Sequence, residues 1–227
     1  LPTDTVYGIG ALASDAGAVA RLLAAKGRGR RMPPPVLVAG VDQLDGVVAD
    51  IPSAARALIE SCWPGALTLV LTAAPRLSWD LGETGGTIAV RMPDHPLALA
   101  LLRAAGPMAV TSANPTGAEP ATDADSAARA FPGRVTGSPD ALAAVGAEGD
   151  EGGEPSILLI HGGPTPGPVP STIVSVAGDD AARPRVLREG LIPSPRIEEI
   201  LAPVLAAATG PSAPAPGSRR PAGEGRA

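Results

Sequence analysis

The 227-residue sequence is poor in aromatic rings, cysteine, lysine and asparagine. Aromatic residues make up 2% of it: one Phe, one Tyr and two Trp. A protein that grips nucleic acid by stacking bases on exposed rings needs more of them, and that class is set aside. The single cysteine, Cys62, can form neither an internal disulfide nor a multi-thiolate zinc site. Two widely separated histidines, His95 and His161, do not make a metal site, so no resident metal ligand is expected. There is no G-x-x-x-x-G-K-[ST] phosphate loop and no G-x-S-x-G nucleophile elbow. No apolar run approaches the ~20 residues that cross a bilayer, and no secretory leader is visible; a cytoplasmic protein without a membrane partner is expected. Basic residues number 18 against 23 acidic, net −5, so the whole molecule is not a polycation, although a local basic patch remains possible.

What is present suits one medium domain. Hydrophobic residues are 44% of the chain, enough for one sizeable core built from Ala, Val, Leu and Ile. Short apolar, often β-branched runs bounded by Gly or Pro predict strands at 36–39, 67–71, 87–91, 108–111, 157–160, 172–176 and 185–187. Ser14, Ser53, Asp94 with Pro96, and Pro195 announce four helices, ending near Gly27, Cys62, Gly106 and Ala208. This alternation predicts an α/β domain around a sheet, spanning residues 1–205. Residues 133–154, Gly-rich and acidic, read as a surface insertion, and 206–227 as a disordered Pro/Ala-rich tail.

Three stretches carry chemistry. The only lysine, Lys26, opens Lys26-Gly27-Arg28-Gly29-Arg30-Arg31 at a predicted helix end. Four cations in six residues could clamp phosphates, with Lys as a point charge and Arg as a planar fork; they could equally complement the helix dipole. The only asparagine, Asn114, follows a predicted strand in Thr111-Ser112-Ala113-Asn114-Pro115. Hydroxyl and amide groups beyond a strand end can cradle phosphate or carboxylate oxygens, and the same residues form ordinary capped turns. The opening, Pro2-Thr3-Asp4-Thr5-Val6-Tyr7-Gly8, could line a pocket or be a strand edge entering a turn.

Taken in order, the motifs resemble those of the YrdC-like threonylcarbamoyl-AMP synthases. They are Pro2-Thr3-Asp4-Thr5-Val6-Tyr7-Gly8, Lys26-x-Arg28, Trp63-Pro64-Gly65, Ala89-Val90-Arg91-Met92-Pro93-x-His95-Pro96, Ser112-Ala113-Asn114, Pro170-Ser171-Thr172-Ile173-Val174, and Val186-Leu187-Arg188-x-Gly190. The resemblance implies a twisted mixed sheet flanked by helices around a large basic concave cavity. It also implies a nucleotidyltransferase that makes L-threonylcarbamoyl-AMP from L-threonine, bicarbonate and ATP, releasing pyrophosphate. That is the first step in forming N6-threonylcarbamoyladenosine on tRNA, completed by separate threonylcarbamoyl-transfer proteins. Residue by residue, Lys26, Arg28, Ser112 and Asn114 match the catalytic positions. Lys26, Arg28, Thr87, Ser112 and Arg188 match contacts to ATP, and Thr5, Arg91 and Ser171 match contacts to threonine. Magnesium is expected with the triphosphate, with no protein ligand assigned. The sequence departs from the family where Arg31-Met32-Pro33-Pro34 replaces Asp-Asn-Pro-Leu, where Leu37 falls at a His position, and where His161 replaces an Asp. An alternative reading is a non-catalytic protein that binds tRNA or double-stranded RNA through the same basic cavity.

Overall fold

In the computed structural model, which describes residues 1–136 and 157–209, strand alternation decides which side of the molecule is core. The strands are β1 (Gly8–Leu12), β2 (Val36–Leu37), β3 (Leu67–Thr72), β4 (Thr87–Arg91), β5 (Met108–Ser112), β6 (Val135–Thr136), β7 (Ile157–Leu158), β8 (Thr172–Ser175) and β9 (Arg185–Arg188). The helices are α1 (Ala16–Ala25), α2 (Ser53–Cys62), α3 (Pro96–Ala105), α4 (Ala124–Arg129) and α5 (Ser194–Thr209). Seven strands form one sheet in the order β1-β5-β2-β4-β3-β8-β9. The β2–β4 and β3–β8 pairs are parallel and the other four are antiparallel, which makes the sheet mixed. β6 and β7 pair separately, in parallel.

Successive strand side chains point to opposite faces. Leu67, Leu69 and Leu71 of β3, Ile88 and Val90 of β4, and Val174 of β8 fall on one face and are buried in the main core. Buried residues of the helices join them there: Leu22 and Leu23 of α1, Leu58 and Ile59 of α2, Ile197 and Leu201 of α5. On the opposite face, Leu37, Ala39 and Val110 pack with Leu102 of α3 in a second, smaller cluster. The intervening positions, Thr68 and Val70 of β3 and Thr87, Ala89 and Arg91 of β4, line a cavity instead. One face is thus a conventional apolar core, and the other is filled only in part.

The predicted strands and four helices are present, with shifted ends. α1 is capped by Asp15, whose carboxylate accepts from Ala18 N at 2.8 Å, and not by Ser14. α3 begins at Pro96 with His95 in the capping position and no side-chain cap, so Asp94 does not serve as one. Regular pairing covers only Val36–Leu37 and Ile157–Leu158 of the longer runs expected at 36–39 and 157–160. The opening motif leads into β1, and α4 was not expected. Six residues of Ala, Asp, Ser and Arg give no apolar stripe, yet α4 carries a reciprocal Asp123–Ser126 capping box. Two compositional boundaries also move. Residues 135–136, inside the supposed insertion, form β6, and α5 runs through Thr209 into the supposed tail. Residues 137–154 and 210–227 of these two segments lie outside the described residues.

Leu69 sits fully buried at the centre of the sheet. Leu69→Ala should lower unfolding stability by about 2–5 kcal/mol, because neighbours held by strand pairing cannot close over the cavity it leaves. Urea unfolding checks this, with a fall in midpoint and an unchanged m-value expected.

Candidate active site

The unfilled face of the sheet encloses a cavity of about 460 Å³. Its floor is β3, β4 and β8; its walls come from the segment before β1, the 28–37 stretch, the end of β5 and the β9 edge. Among the described residues three arginines, Arg28, Arg91 and Arg188, line it, and no carboxylate does. Polar lining groups are mostly hydroxyls: Thr3, Thr5, Thr68, Thr84, Thr87, Thr111, Ser112 and Ser171. Gly8 gives the cavity one of its boundaries, since a Cβ there would stand 2.6 Å from Val110 Cγ1.

Arg91 ends β4 and is buried. Its Nε donates to Gly65 O at 3.0 Å, Nη1 to Thr5 Oγ1 at 3.2 Å, and Nη2 to Asp4 Oδ1 at 2.5 Å. Gly65 must be glycine for this, because a Cβ would come within 2.6 Å of Cys62 O. Thr3 ties the Asp4–Thr5 turn from beneath: its Oγ1 donates to Val6 O at 2.7 Å and accepts from the Thr5 and Val6 amides. Burial pulls the Arg91 pKa below its ordinary value; Asp4 opposes that shift and Arg188 adds to it.

Across the cavity Ser171 is buried, its Oγ 2.8 Å from Thr68 Oγ1. Arg188 donates to Ser171 O from Nε at 3.3 Å and from Nη2 at 2.7 Å, and more distantly to Ser171 Oγ at 3.3 Å. Arg28 Nη1 donates to Thr111 Oγ1 at 3.1 Å, while its buried Nε has no partner among the described residues. Burial lowers the pKa values of Arg28 and Arg188, and for Arg188 the charge of Arg28 adds to the effect. Thr87 Oγ1 donates to Thr84 O at 2.8 Å.

Lys26 is the C-cap of α1 and is buried behind this wall, not among the lining residues. Its Nζ donates to Ser112 O at 2.5 Å, to Asn114 O, and to Asn114 Oδ1 at 3.3 Å. Asn114 Nδ2 in turn donates to Pro115 O at 2.9 Å and Ala118 O at 2.7 Å. The lone lysine and lone asparagine therefore form one knot that joins the end of α1 to the turn after β5. Thr116 reinforces it, donating from N and Oγ1 to Lys26 O at 3.2 and 2.9 Å.

Of the nine residues singled out in the sequence, seven line the cavity: Thr5, Arg28, Thr87, Arg91, Ser112, Ser171 and Arg188. Lys26 and Asn114 stand behind Ser112 and touch each other. Sequence reasoning gave no role to Thr68, Asp4 or Gly65. A polar residue at a β3 position flanked by leucines was the available signal for Thr68, whereas nothing in the spacing linked Asp4 or Gly65 to Arg91.

Burial and the charge of Arg28 lower the Lys26 pKa from 10.5 to about 8. A folded-state pKa below the unfolded one means that the unfolded chain binds more protons between those values, so Lys26 makes stability rise with pH there. Wild-type protein should gain stability relative to Lys26→Met between about pH 8 and pH 10.5. Urea titrations of both proteins across that window test it; wild-type stability that falls relative to Lys26→Met as pH rises contradicts the shift.

Residues 1–190 match a family model named Sua5_yciO_yrdC and described as "Telomere recombination". A Mycobacterium tuberculosis protein, provisionally assigned as a threonylcarbamoyl-AMP synthase, is 46% identical over 201 residues, 88% of this chain and 82% of the relative. The Bacillus subtilis threonylcarbamoyl-AMP synthase is 38% identical over 205 residues, 89% of this chain but 52% of its own length. Among solved structures, Pyrococcus abyssi Sua5 complexed with L-threonine aligns with a TM-score of 0.74 at 34% identity, covering 88% of this chain and 52% of that one. The chain thus spans about half the length of those two longer relatives. The family match, the identity to relatives and the shared mixed sheet agree: this chain belongs to the Sua5/YciO/YrdC family.

Proposed function

We propose that the cavity makes L-threonylcarbamoyl-AMP from L-threonine, bicarbonate and ATP. The observation that carries this reading is a cavity lined, among the described residues, by three arginines and many hydroxyls with no carboxylate, in a chain whose relatives bear the synthase name. Those names favour catalysis over the RNA-binding alternative.

The chemistry needs little covalent help. The threonine amine takes up bicarbonate with loss of water, giving a carbamate. A carbamate oxygen then bonds to the α-phosphorus of ATP as the bond from that phosphorus to the bridging oxygen of the β-phosphate breaks. Pyrophosphate departs with the electron pair. Such a displacement is catalysed by holding the two reactants in line and neutralising charge on the phosphate oxygens. Arg28 and Arg188, which face each other's charge across the cavity, are suited to the phosphates. The buried Nε of Arg28 is a donor still awaiting an acceptor.

Ser171 and Thr5, near Arg188 and Arg91 respectively, supply hydroxyls on the threonine side. Ser112 offers its hydroxyl to the reacting centre while its carbonyl is fixed by Lys26. Lys26 and Asn114 thereby act on the reaction by holding the Ser112 turn, and Thr87 stands at the nucleotide wall. Magnesium enters as part of the substrate, on the triphosphate. Among the described residues the lining has no carboxylate to offer it, and there is no group of three or more His, Cys, Asp or Glu that could hold a metal. An acyl-adenylate is a reactive mixed anhydride, so its consumer is a transferase with a nucleophilic acceptor, here the tRNA-modifying transfer proteins. No helix among the described residues is long and apolar enough to cross a membrane.

Pyrophosphate release from magnesium-ATP, with L-threonine and bicarbonate omitted in turn, tests the reading directly. Release should require both; release that persists without threonine, or none from folded protein, rejects it. Arg28→Ala and Arg188→Ala should each lower kcat/KM for ATP by about 10- to 100-fold, the worth of a charge-assisted hydrogen bond to phosphate. Steady-state kinetics with ATP varied at saturating threonine checks this, with a much smaller change expected in KM for threonine.

A further inference from the structure

The three cavity arginines are not equivalent in charge. Arg28 and Arg188 have no carboxylate within ion-pair distance among the described residues, and each makes its protein hydrogen bonds only to hydroxyl or carbonyl oxygens. Arg91 alone is paired, with Asp4 at 2.5 Å, and the two side chains are only 8% and 14% exposed. A polyphosphate and an amino-acid carboxylate enter the same 460 Å³ space, and three unpaired guanidiniums would all attract the more highly charged anion.

We propose that Asp4 sorts the two anions. By pairing with Arg91 it leaves a nearly neutral fork that suits a monoanionic carboxylate and not a polyphosphate, while unpaired Arg28 and Arg188 form the phosphate zone. The proposal rests on the proposed synthase reaction and deepens it, assigning a positioning and specificity role to a residue that does not line the cavity.

The geometry supports a fork held from behind. A guanidinium carries five N–H donors. Three are spent on Gly65 O, Thr5 Oγ1 and Asp4 Oδ1, which leaves two for a ligand. The Asp4 backbone is itself held, because Thr3 Oγ1 takes the amides on the far side of it and donates to Val6 O. Arg188 repels Arg91, so without Asp4 the guanidinium would both lose an anchor and gain net attraction for phosphate.

The test is calorimetric titration of L-threonine into the whole chain, with and without saturating magnesium pyrophosphate as the polyphosphate probe. In the wild type, pyrophosphate should change the threonine Kd by no more than about twofold, because the zones are separate. In Asp4→Asn it should become a competitor, raising the apparent threonine Kd by about tenfold or more. Asp4→Glu, which keeps the charge, should restore non-competitive behaviour even if threonine binds less tightly. A residue that merely supported the fold would weaken both ligands without making them compete.

Displacement of threonine by pyrophosphate in the wild type overturns the proposal, as does an Asp4→Asn protein in which the two ligands remain independent. If Asp4→Asn does not fold, Asp4→Ser, which removes the same charge with a smaller polar side chain, takes its place in the same titration, and independence of the two ligands in it overturns the proposal. Failure of the wild type to bind threonine at all would reject the synthase reading, and the sorting role with it.

Discussion

Burying a charged fork at the end of a central strand is the constraint around which this structure is arranged. A guanidinium taken from water needs compensation by charge and hydrogen bonds. Arg91 obtains it from two separate parts of the chain: the turn before β1, which supplies the Thr5 hydroxyl and the Asp4 carboxylate, and the tight turn before β3, which supplies the Gly65 carbonyl. Those contacts hold the Pro2–Gly8 and Trp63–Gly65 segments against the sheet. They also leave the open face of β4 with a fixed donor array at its end. The cavity exists because that face was not closed with apolar side chains as its opposite was.

A second polar knot performs a comparable service on the other side. The Lys26 ammonium donates to two carbonyls and one amide oxygen at the turn after β5, and Asn114 passes the restraint on to Ala118. A lysine used this way is a brace, with its charge spent on backbone dipoles. It ties down Ser112 beside the Thr111–Arg28 contact, so the wall proposed for the phosphates is braced by the protein's own hydrogen bonds. Electrostatic catalysis depends on such preorganisation more than on the count of cations present.

The fold was readable in sequence to the extent that local rules govern it. Runs such as Leu67–Thr72 declared themselves by apolar, β-branched content, and α3 by Pro96 at its start and Gly106 at its end. α4 was not visible, because its stability lies in the Asp123–Ser126 capping box and not in a hydrophobic stripe. Helix starts slipped where several cap-capable residues stood together, as Ser14 and Asp15 do; which one turns its side chain to the amide is set by backbone angles.

The sequence by itself determined the periodicity of the strands, the placement of hydroxyls and arginines at strand ends, and the ordered motifs that tie the chain to its family. Those are properties of neighbours within about ten residues. Tertiary structure alone decided the pairings: Asp4 with Arg91 across 87 positions, Lys26 with Asn114 across 88, Ser171 with Thr68 across 103. Charge compensation of this kind depends on which segments the mixed sheet brings side by side, and strand order is not a local property. The same reason explains why Lys26, conspicuous in the sequence as a cation among cations, stands behind the cavity and braces its wall.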